Sequence, residues 1–436
     1  MRGVVRMSVA NLAGPITALL VSPLLARALG PSGRGTYAAL TMPILVLGIA
    51  GTLGTQDAAS YFVAKRGLRP ADAIRLLLLL LIPASVLAGA VGVALGHYLF
   101  RPPSTDYRAF LFLLGALPLQ IVFNMLLGAV TGAGDVRGVN GAKVFPTVAR
   151  AIVILVLVVT VPVTPYLAAM VLLWSPLLGV GWILYRQPLR LRRQSSTVGI
   201  ARSEFIRFSL AAFPGVLATI STARLDQVIG LPLIGSRELG LYAVAVSIAE
   251  LAMVVPVAAR TALLGYRSYP GVARDQQQLS RVVVAVTAAA CVVLGIGSWV
   301  LIPPIFGQEF QGAVVPCLIL LVATVVYSAS TSLSAILLSL GRAGSQSRKL
   351  VLGSVVGVGS LIALRRFGAE GASLATLLGY TTTALLCCAE LARSHGLSAR
   401  DSLRLQRRDV VWVRESLRPL HAERGHTRVS SVETTH

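Results

Sequence analysis

Long apolar runs separated by short basic clusters, Gly and Pro set the pattern of this chain. Stretches such as Ile74 to Leu95, Val148 to Val161 and Val282 to Ile302 reach or approach the roughly 20 apolar residues an α-helix needs to cross a bilayer. Marking every apolar stretch bounded by charge, Gly or Pro predicts twelve spans, at about 8–29, 36–62, 73–100, 109–131, 146–163, 166–185, 207–233, 239–259, 282–303, 313–340, 347–364 and 370–391. No connection between them exceeds about twenty residues, too little for an extramembrane catalytic domain, so the chain is expected not to be an enzyme. The opening MRGVVRMSVANLAGP imitates a signal peptide. No small-residue cleavage site precedes a soluble domain, so it reads as a retained first membrane helix.

An even number of spans puts both termini on one side, and the positive-inside rule then selects alternate connections. Thirty Lys and Arg fall on the terminal side, among them Lys65, Arg66, Arg137, Lys143, Arg186 and the Arg-rich tail from Arg393. Six fall opposite (Arg34, Arg101, Arg108, Arg237, Arg365, Arg366), and Arg27, Arg150 and Arg224 lie within spans. Both termini are therefore expected in the cytoplasm, in a multi-pass protein of the plasma membrane.

The two halves resemble each other. LGPSGRGTYAAL (Leu29 to Leu40) matches IGSRELGLYAVA (Ile234 to Ala245) at an offset of 205, pairing Gly30 with Gly235, Gly35 with Gly240 and Tyr37 with Tyr242. A second match, at an offset of 210, relates Leu127 and Gly134 to Leu337 and Gly344. Because six spans is an even number, both copies have one orientation, which makes them parallel repeats about an axis along the membrane normal. The expected fold is an all-α membrane protein of two six-helix bundles, 1–185 and 207–393, with a basic linker at 186–206 and a basic tail at 394–436. Such an arrangement is most simply a transporter with its substrate site between the bundles.

Composition narrows the classes. The chain is 55% hydrophobic and only 13% charged, against about 25% charged in soluble domains. Its net charge of +22 needs no nucleic acid, since the anionic inner leaflet accounts for it. Cys291, Cys317, Cys387 and Cys388 lie in apolar runs without metal-ligand spacing, and of five His four are in the tail, so neither metal nor cofactor is expected.

LARALGPSGRGTYAAL, LDQVIGLPLIGSRELGLYAVA and GAEGASLATLLGY resemble the polysaccharide transporter, or O-antigen-type flippase, family. That family's superfamily also holds multidrug and toxic-compound extruders and lipid II flippases. The resemblance extends from Arg6 to about Arg393 and rests on helix ends rather than chemistry. It implies two bundles around a central cavity, moving an undecaprenyl diphosphate-type lipid-linked oligosaccharide from the inner to the outer leaflet by alternating access. The partners expected are that lipid-linked glycan, membrane lipids, and glycosyltransferases or a polymerase acting on the same glycan.

Charges within spans are functional candidates by default. Arg150, Asp57 and Glu390 lie close to the terminal ends of their spans, where they can snorkel or pair with loop Arg. Asp57 is kept as a coupling candidate, and Arg27 reads as either an interface anchor or a cavity residue. ATISTARLDQ (Ala218 to Gln227) has six polar residues in ten and cannot face lipid. Either Arg224 and Gln227 line the cavity, with the guanidinium suited to a phosphate and Asp226 available for ion coupling, or an Arg–Asp network ties helix seven to helices eight and one. Glu250, near mid-depth with no basic neighbour in sequence, suits a proton-coupling carboxylate that is neutral at rest, and its repeat mate is Leu45. A packing role is the alternative. Gln120 and Asn124 present amides at mid-depth, for helix bridging or for binding sugar, and Asn124 is taken as a cavity residue. Counting these charges leans toward an anionic substrate. A proton- or sodium-coupled drug exporter is the alternative within transport, and a membrane enzyme or scaffold of glycan assembly the alternative outside it.

Overall fold

The computed structural model describes the backbone of residues 2–186, 202–265, 272–339 and 343–395, and side chains at 21–186, 202–257, 278–337 and 344–393. Most of the predicted linker and nearly all of the predicted tail lie outside the described residues. Among those described, every regular element is helical. They are α1 (Arg2–Ala50), α2 (Thr55–Lys65), α3 (Pro70–Phe100), α4 (Thr105–Leu114), α5 (Leu117–Gly132), α6 (Val136–Thr160), α7 (Pro165–Trp174) and α8 (Pro176–Arg186), then α9 (Arg202–Gly265), α10 (Val272–Phe306), α11 (Val314–Ser339), α12 (Ala343–Leu364) and α13 (Gly368–His395).

Nine runs among the described residues are long and apolar enough to cross a membrane. Three of them turn back at a glycine: Gly30 (φ 65°) in α1, Gly235 (φ 81°) in α9, and Gly368 (φ 56°) between α12 and α13. Counting the two arms at each turn separately gives twelve candidate spans among the described residues, the number that the apolar pattern predicts. A positive φ of this size is a region that residues with a Cβ rarely occupy, and Pro31 directly after Gly30 suits the first position of the next helix. At the third turn the Glu238 carboxylate accepts a hydrogen bond from the Ala369 backbone N–H at 3.0 Å, satisfying one donor that the start of α13 leaves open.

The repeat is visible in the packing. A Cβ on Gly35 would lie 1.7 Å from the Ser236 carbonyl oxygen, and one on Gly240 would lie 1.9 Å from that of Pro31. Since 31 pairs with 236 and 35 with 240, these contacts are the same contact made twice about a two-fold axis. They hold the bundles together at the face opposite the termini. On the terminal face, Tyr61 of α2 stacks on Phe208 of α9 with ring centroids 4.7 Å apart, and Arg66 lies 3.9 Å from Glu204. Large apolar side chains such as Ile82, Val159 and Val293 point outward, 70% exposed or more, as lipid-facing residues must.

Candidate transport site

The turn at Gly235 folds α9 into two antiparallel arms, and this brings residues far apart in sequence to one depth. Arg224 on the first arm and Glu250 on the second form an ion pair at 2.5 Å, their side chains 37% and 30% exposed. Glu250 is thus not the isolated carboxyl that its sequence neighbours suggest. Its partner stands across the hairpin, where a search along the chain does not look.

Asp226 belongs to a second set. It accepts hydrogen bonds from the Tyr242 hydroxyl on the second arm, from Thr376 Oγ1 of α13 at 3.1 Å and from the Gln227 backbone N–H at 2.8 Å. Three donors thus converge on one carboxylate inside the bundle. Arg224 and Asp226, two apart on a helix, diverge as expected, yet both bind the second arm.

These groups line one cavity of about 580 Å³ enclosed by α9, α11 and α13. Gln227, buried, shares it, and Tyr327 and Tyr380 give it aromatic walls. The cavity lies within the C-terminal bundle rather than midway between the two. Arg224, Asp226, Gln227 and Glu250 are therefore brought together, and the other predicted residues lie elsewhere. Arg27 is exposed and donates to the Pro304 carbonyl of α10. Asn124 bonds its own helix at the Gln120 carbonyl, while Gln120 reaches the Leu173 carbonyl at 2.7 Å and bridges α5 to α7. Asp57 is exposed in the first turn of α2. Glu390 pairs with Lys349 of α12.

The N-terminal bundle has its own cavity, about 330 Å³, with Lys143, Arg150, Thr147, Phe123 and Leu45 in its walls. Leu45 and Glu250 are repeat mates, so the two cavities are related by the same pseudo-symmetry and differ in charge. Among the described residues lining the N-terminal one there are two cations and no acid. Sequence reasoning placed Lys143 with the basic connections and Arg150 with the snorkelling charges.

Arg34, counted with the loops opposite the termini, is also misplaced by sequence. It is only 8% exposed, donates to Ser22 Oγ at 3.1 Å, and stacks over Tyr37 at 5.1 Å. Ser22 in turn reaches Ser247 Oγ at 3.4 Å, which links the first arm of α1 to the second arm of α9. The signal was present in the repeat motif, where paired glycines imply close approach and burial. Tyr242 stood in the same motif.

No protein-family profile matches the chain, and no curated protein matches it significantly in sequence. Solved structures do match. The inward-facing form of a multidrug resistance MATE family transporter of the MOP superfamily superposes with a TM-score of 0.68 at 15% identity, covering 89% of this chain and 99% of that one. The lipid II flippase MurJ, in an inward closed conformation, gives 0.67 at 13% identity, covering 94% and 91%. A MOP superfamily transporter from Pyrococcus furiosus, described as having a binding pocket of reversed polarity that suggests a different function, gives 0.61 at 17%, covering 88% and 93%. At these identities the likeness is one of fold, and the fold is that of MOP superfamily transporters and flippases.

Proposed function

We propose that this protein is a flippase for a lipid-linked oligosaccharide carried on an undecaprenyl diphosphate-type lipid, moving it from the cytoplasmic to the outer leaflet for cell-surface polysaccharide synthesis. The observation that supports this reading best is the cavity of the N-terminal bundle, whose walls carry both Lys143 and Arg150. A diphosphate entering the low-dielectric interior needs paired cations, and an arginine fork matches phosphate oxygens. Arg224 adds a third cation, held by Glu250 while no substrate is bound. Phosphate and Glu250 then compete for one guanidinium, so substrate binding releases a carboxylate. Glu250 and Asp226 are the coupling groups in this scheme, the bundles 1–185 and 207–393 are the moving units, and both termini are cytoplasmic.

A second reading has its own support. Glu250, Asp226 and the tyrosine walls of the larger cavity suit a hydrophobic organic cation, the cargo class of an exporter. Offering purified protein an undecaprenyl diphosphate-linked oligosaccharide and, separately, a hydrophobic organic cation distinguishes the two. The flippase reading expects saturable binding of the diphosphate lipid that weakens in Arg150→Ala and Lys143→Ala. Binding of the cation alone, weakened by Glu250→Gln, overturns it in favour of export.

A further inference from the structure

The C-terminal bundle contains more polar surface than its main cavity uses. In α11, Ser328, Ser330, Thr331, Ser332 and Ser334 are all buried, an unusual density of hydroxyls for a helix surrounded by other membrane helices. Ser330 bonds back to its own helix at the Tyr327 carbonyl, 2.9 Å away. A hydroxyl that donates in this way keeps its acceptor lone pairs. Those lone pairs are open to a water placed beside the helix.

Two small cavities lie beside these residues. One, of about 50 Å³, has Ser330, Thr331, Ser334, Gln346, Thr383 and Thr222 in its walls. The other, of about 30 Å³, touches Thr222, Ser354, Asp226 and Thr376. A cavity of this size with hydroxyls in its walls has room for one to a few waters. Thr222 lines both, bonded to Ser354 at 2.7 Å, so it is the joint between them. Asp226 lines both the smaller one and the main cavity. In the other direction Ser334 Oγ lies 3.6 Å from Cys387 Sγ, and Ser345, next to Gln346, bonds Glu390 at 2.5 Å. From Thr376 to Glu390 along α13 is about 21 Å at the helical rise, most of the way across a hydrocarbon core of roughly 30 Å.

We propose that the C-terminal bundle contains an internal file of waters and hydroxyls that carries protons between the Lys349–Glu390 pair near the terminal face and Asp226. Protons hop along such a chain by exchanging which oxygen donates, so no atom other than hydrogen need move. The file reaches Asp226 from the side of α12 and α13, leaving the main cavity to the cargo. The charged and titratable groups facing Asp226 are Tyr242 and Arg224 on α9, with Tyr380 on α13, and Glu250 acts on it through Arg224. Those facing Glu390 are Lys349 and the adjacent Cys387 and Cys388. The route rests on the transport reading for its use, though not for its existence.

Two measurements on the full-length protein test it. The first keeps Cys387 as the sole cysteine, through Cys291→Ala, Cys317→Ala and Cys388→Ala, and exposes sealed proteoliposomes to silver ion, a water-sized thiol reagent. Cys387 should react although no part of it is surface-exposed, whereas Cys291 kept alone should not. A silent Cys387 overturns the file and leaves the flippase reading untouched. The second follows flipping driven by a pH gradient. Thr222→Val, which keeps shape and removes the hydroxyl, should lose the gradient-driven component while binding the diphosphate lipid normally, and Thr222→Ser should keep it. Equal gradient stimulation in Thr222→Val and wild type overturns the proton route. A reactive Cys387 in a wild-type protein that flips no lipid-linked glycan supports the file and overturns the flippase reading instead.

Discussion

Gly35 and Gly240, repeat mates 205 positions apart, sit against each other's helix so closely that neither has room for a Cβ: the carbonyls of Ser236 and Pro31 would stand 1.7 and 1.9 Å away. Backbone carbonyls at helix starts cannot rotate aside as a side chain could. The contact therefore requires glycine on both sides and fixes how near the bundles come at the face opposite the termini.

Gly35→Val or Gly240→Val should force these helix ends apart. Overpacking of a tight contact costs about 1–3 kcal/mol, and the expected outcome is a lowered unfolding temperature in detergent together with faster thiol labelling of Ser22→Cys, which lies beneath the contact. Gly181→Ala is the control, because a Cβ there meets nothing within 4 Å, and it should leave both measurements unchanged.

The Arg224–Glu250 pair makes an opposite pair of predictions for ligand binding. Glu250→Gln removes the carboxylate that competes for the guanidinium, and a partly exposed pair of this kind is worth up to about 1 kcal/mol. Affinity for the diphosphate head should then rise by roughly fivefold, with flipping slowed by loss of the proposed coupling carboxylate. Arg224→Ala should weaken binding, and Arg224→Lys should restore part of it. Titration calorimetry with a soluble short-chain diphosphate lipid reads all three. Weaker binding in Glu250→Gln would show that the carboxylate positions the arginine rather than competing with the ligand.

Much of the architecture was legible in the sequence, because membrane-spanning helices are constrained one at a time by length and apolarity. The twelve candidate spans, the turns at Gly30 and Gly235 and the relation between the halves all follow from local pattern. The site was legible only where its residues cluster on one helix, as Arg224, Asp226 and Gln227 do. Glu250 was found by its depth, but its partner was hidden because the hairpin that joins them is a tertiary fact. Lys143 and Arg34 were read as loop charges since a charge count by connection cannot tell a residue pointing to water from one folded back into a bundle. The hydroxyls of α11 carry no signal in the sequence for another reason: Ser and Thr are common in membrane helices, and only the cavities beside them give them meaning.

Arg150→Ala should reduce binding of the diphosphate lipid by an amount typical of losing a charge-assisted hydrogen bond, about 1.5–3 kcal/mol, or roughly ten- to a hundredfold. Leu45→Glu would place in the N-terminal cavity the acid that its repeat mate Glu250 supplies in the other. It should weaken the same binding by pairing with Lys143 or Arg150. Unchanged affinity in both variants would move the phosphate station out of this cavity.

Orientation is open to direct labelling. With Arg66→Cys and Arg237→Cys, made singly in a protein lacking native cysteines, a membrane-impermeant maleimide added to intact cells should modify residue 237 and reach residue 66 only after permeabilisation. Both side chains are exposed, so failure to react reports sidedness rather than burial. The reverse pattern would invert the direction of transport.

The two bundles touch at both faces, through Gly35 and Gly240 on one side and through the Tyr61–Phe208 stack and the Arg66–Glu204 pair on the other. A transporter cycling between two access states must break one contact while keeping the other. The glycine contact is rigid backbone against backbone, whereas the aromatic stack is made of two side chains on separate helices and can part by rotamer changes. With rings only 4.7 Å apart, a Tyr61→Cys, Phe208→Cys double variant should be bridged by a short, reducible bis-methanethiosulfonate cross-linker. Flipping in proteoliposomes should stop when the cross-link forms and return on adding reductant, while binding of ligand from the opposite face persists. Undiminished flipping by the fully cross-linked protein would mean that this face does not open during transport, and the cargo would then have to enter laterally between helices.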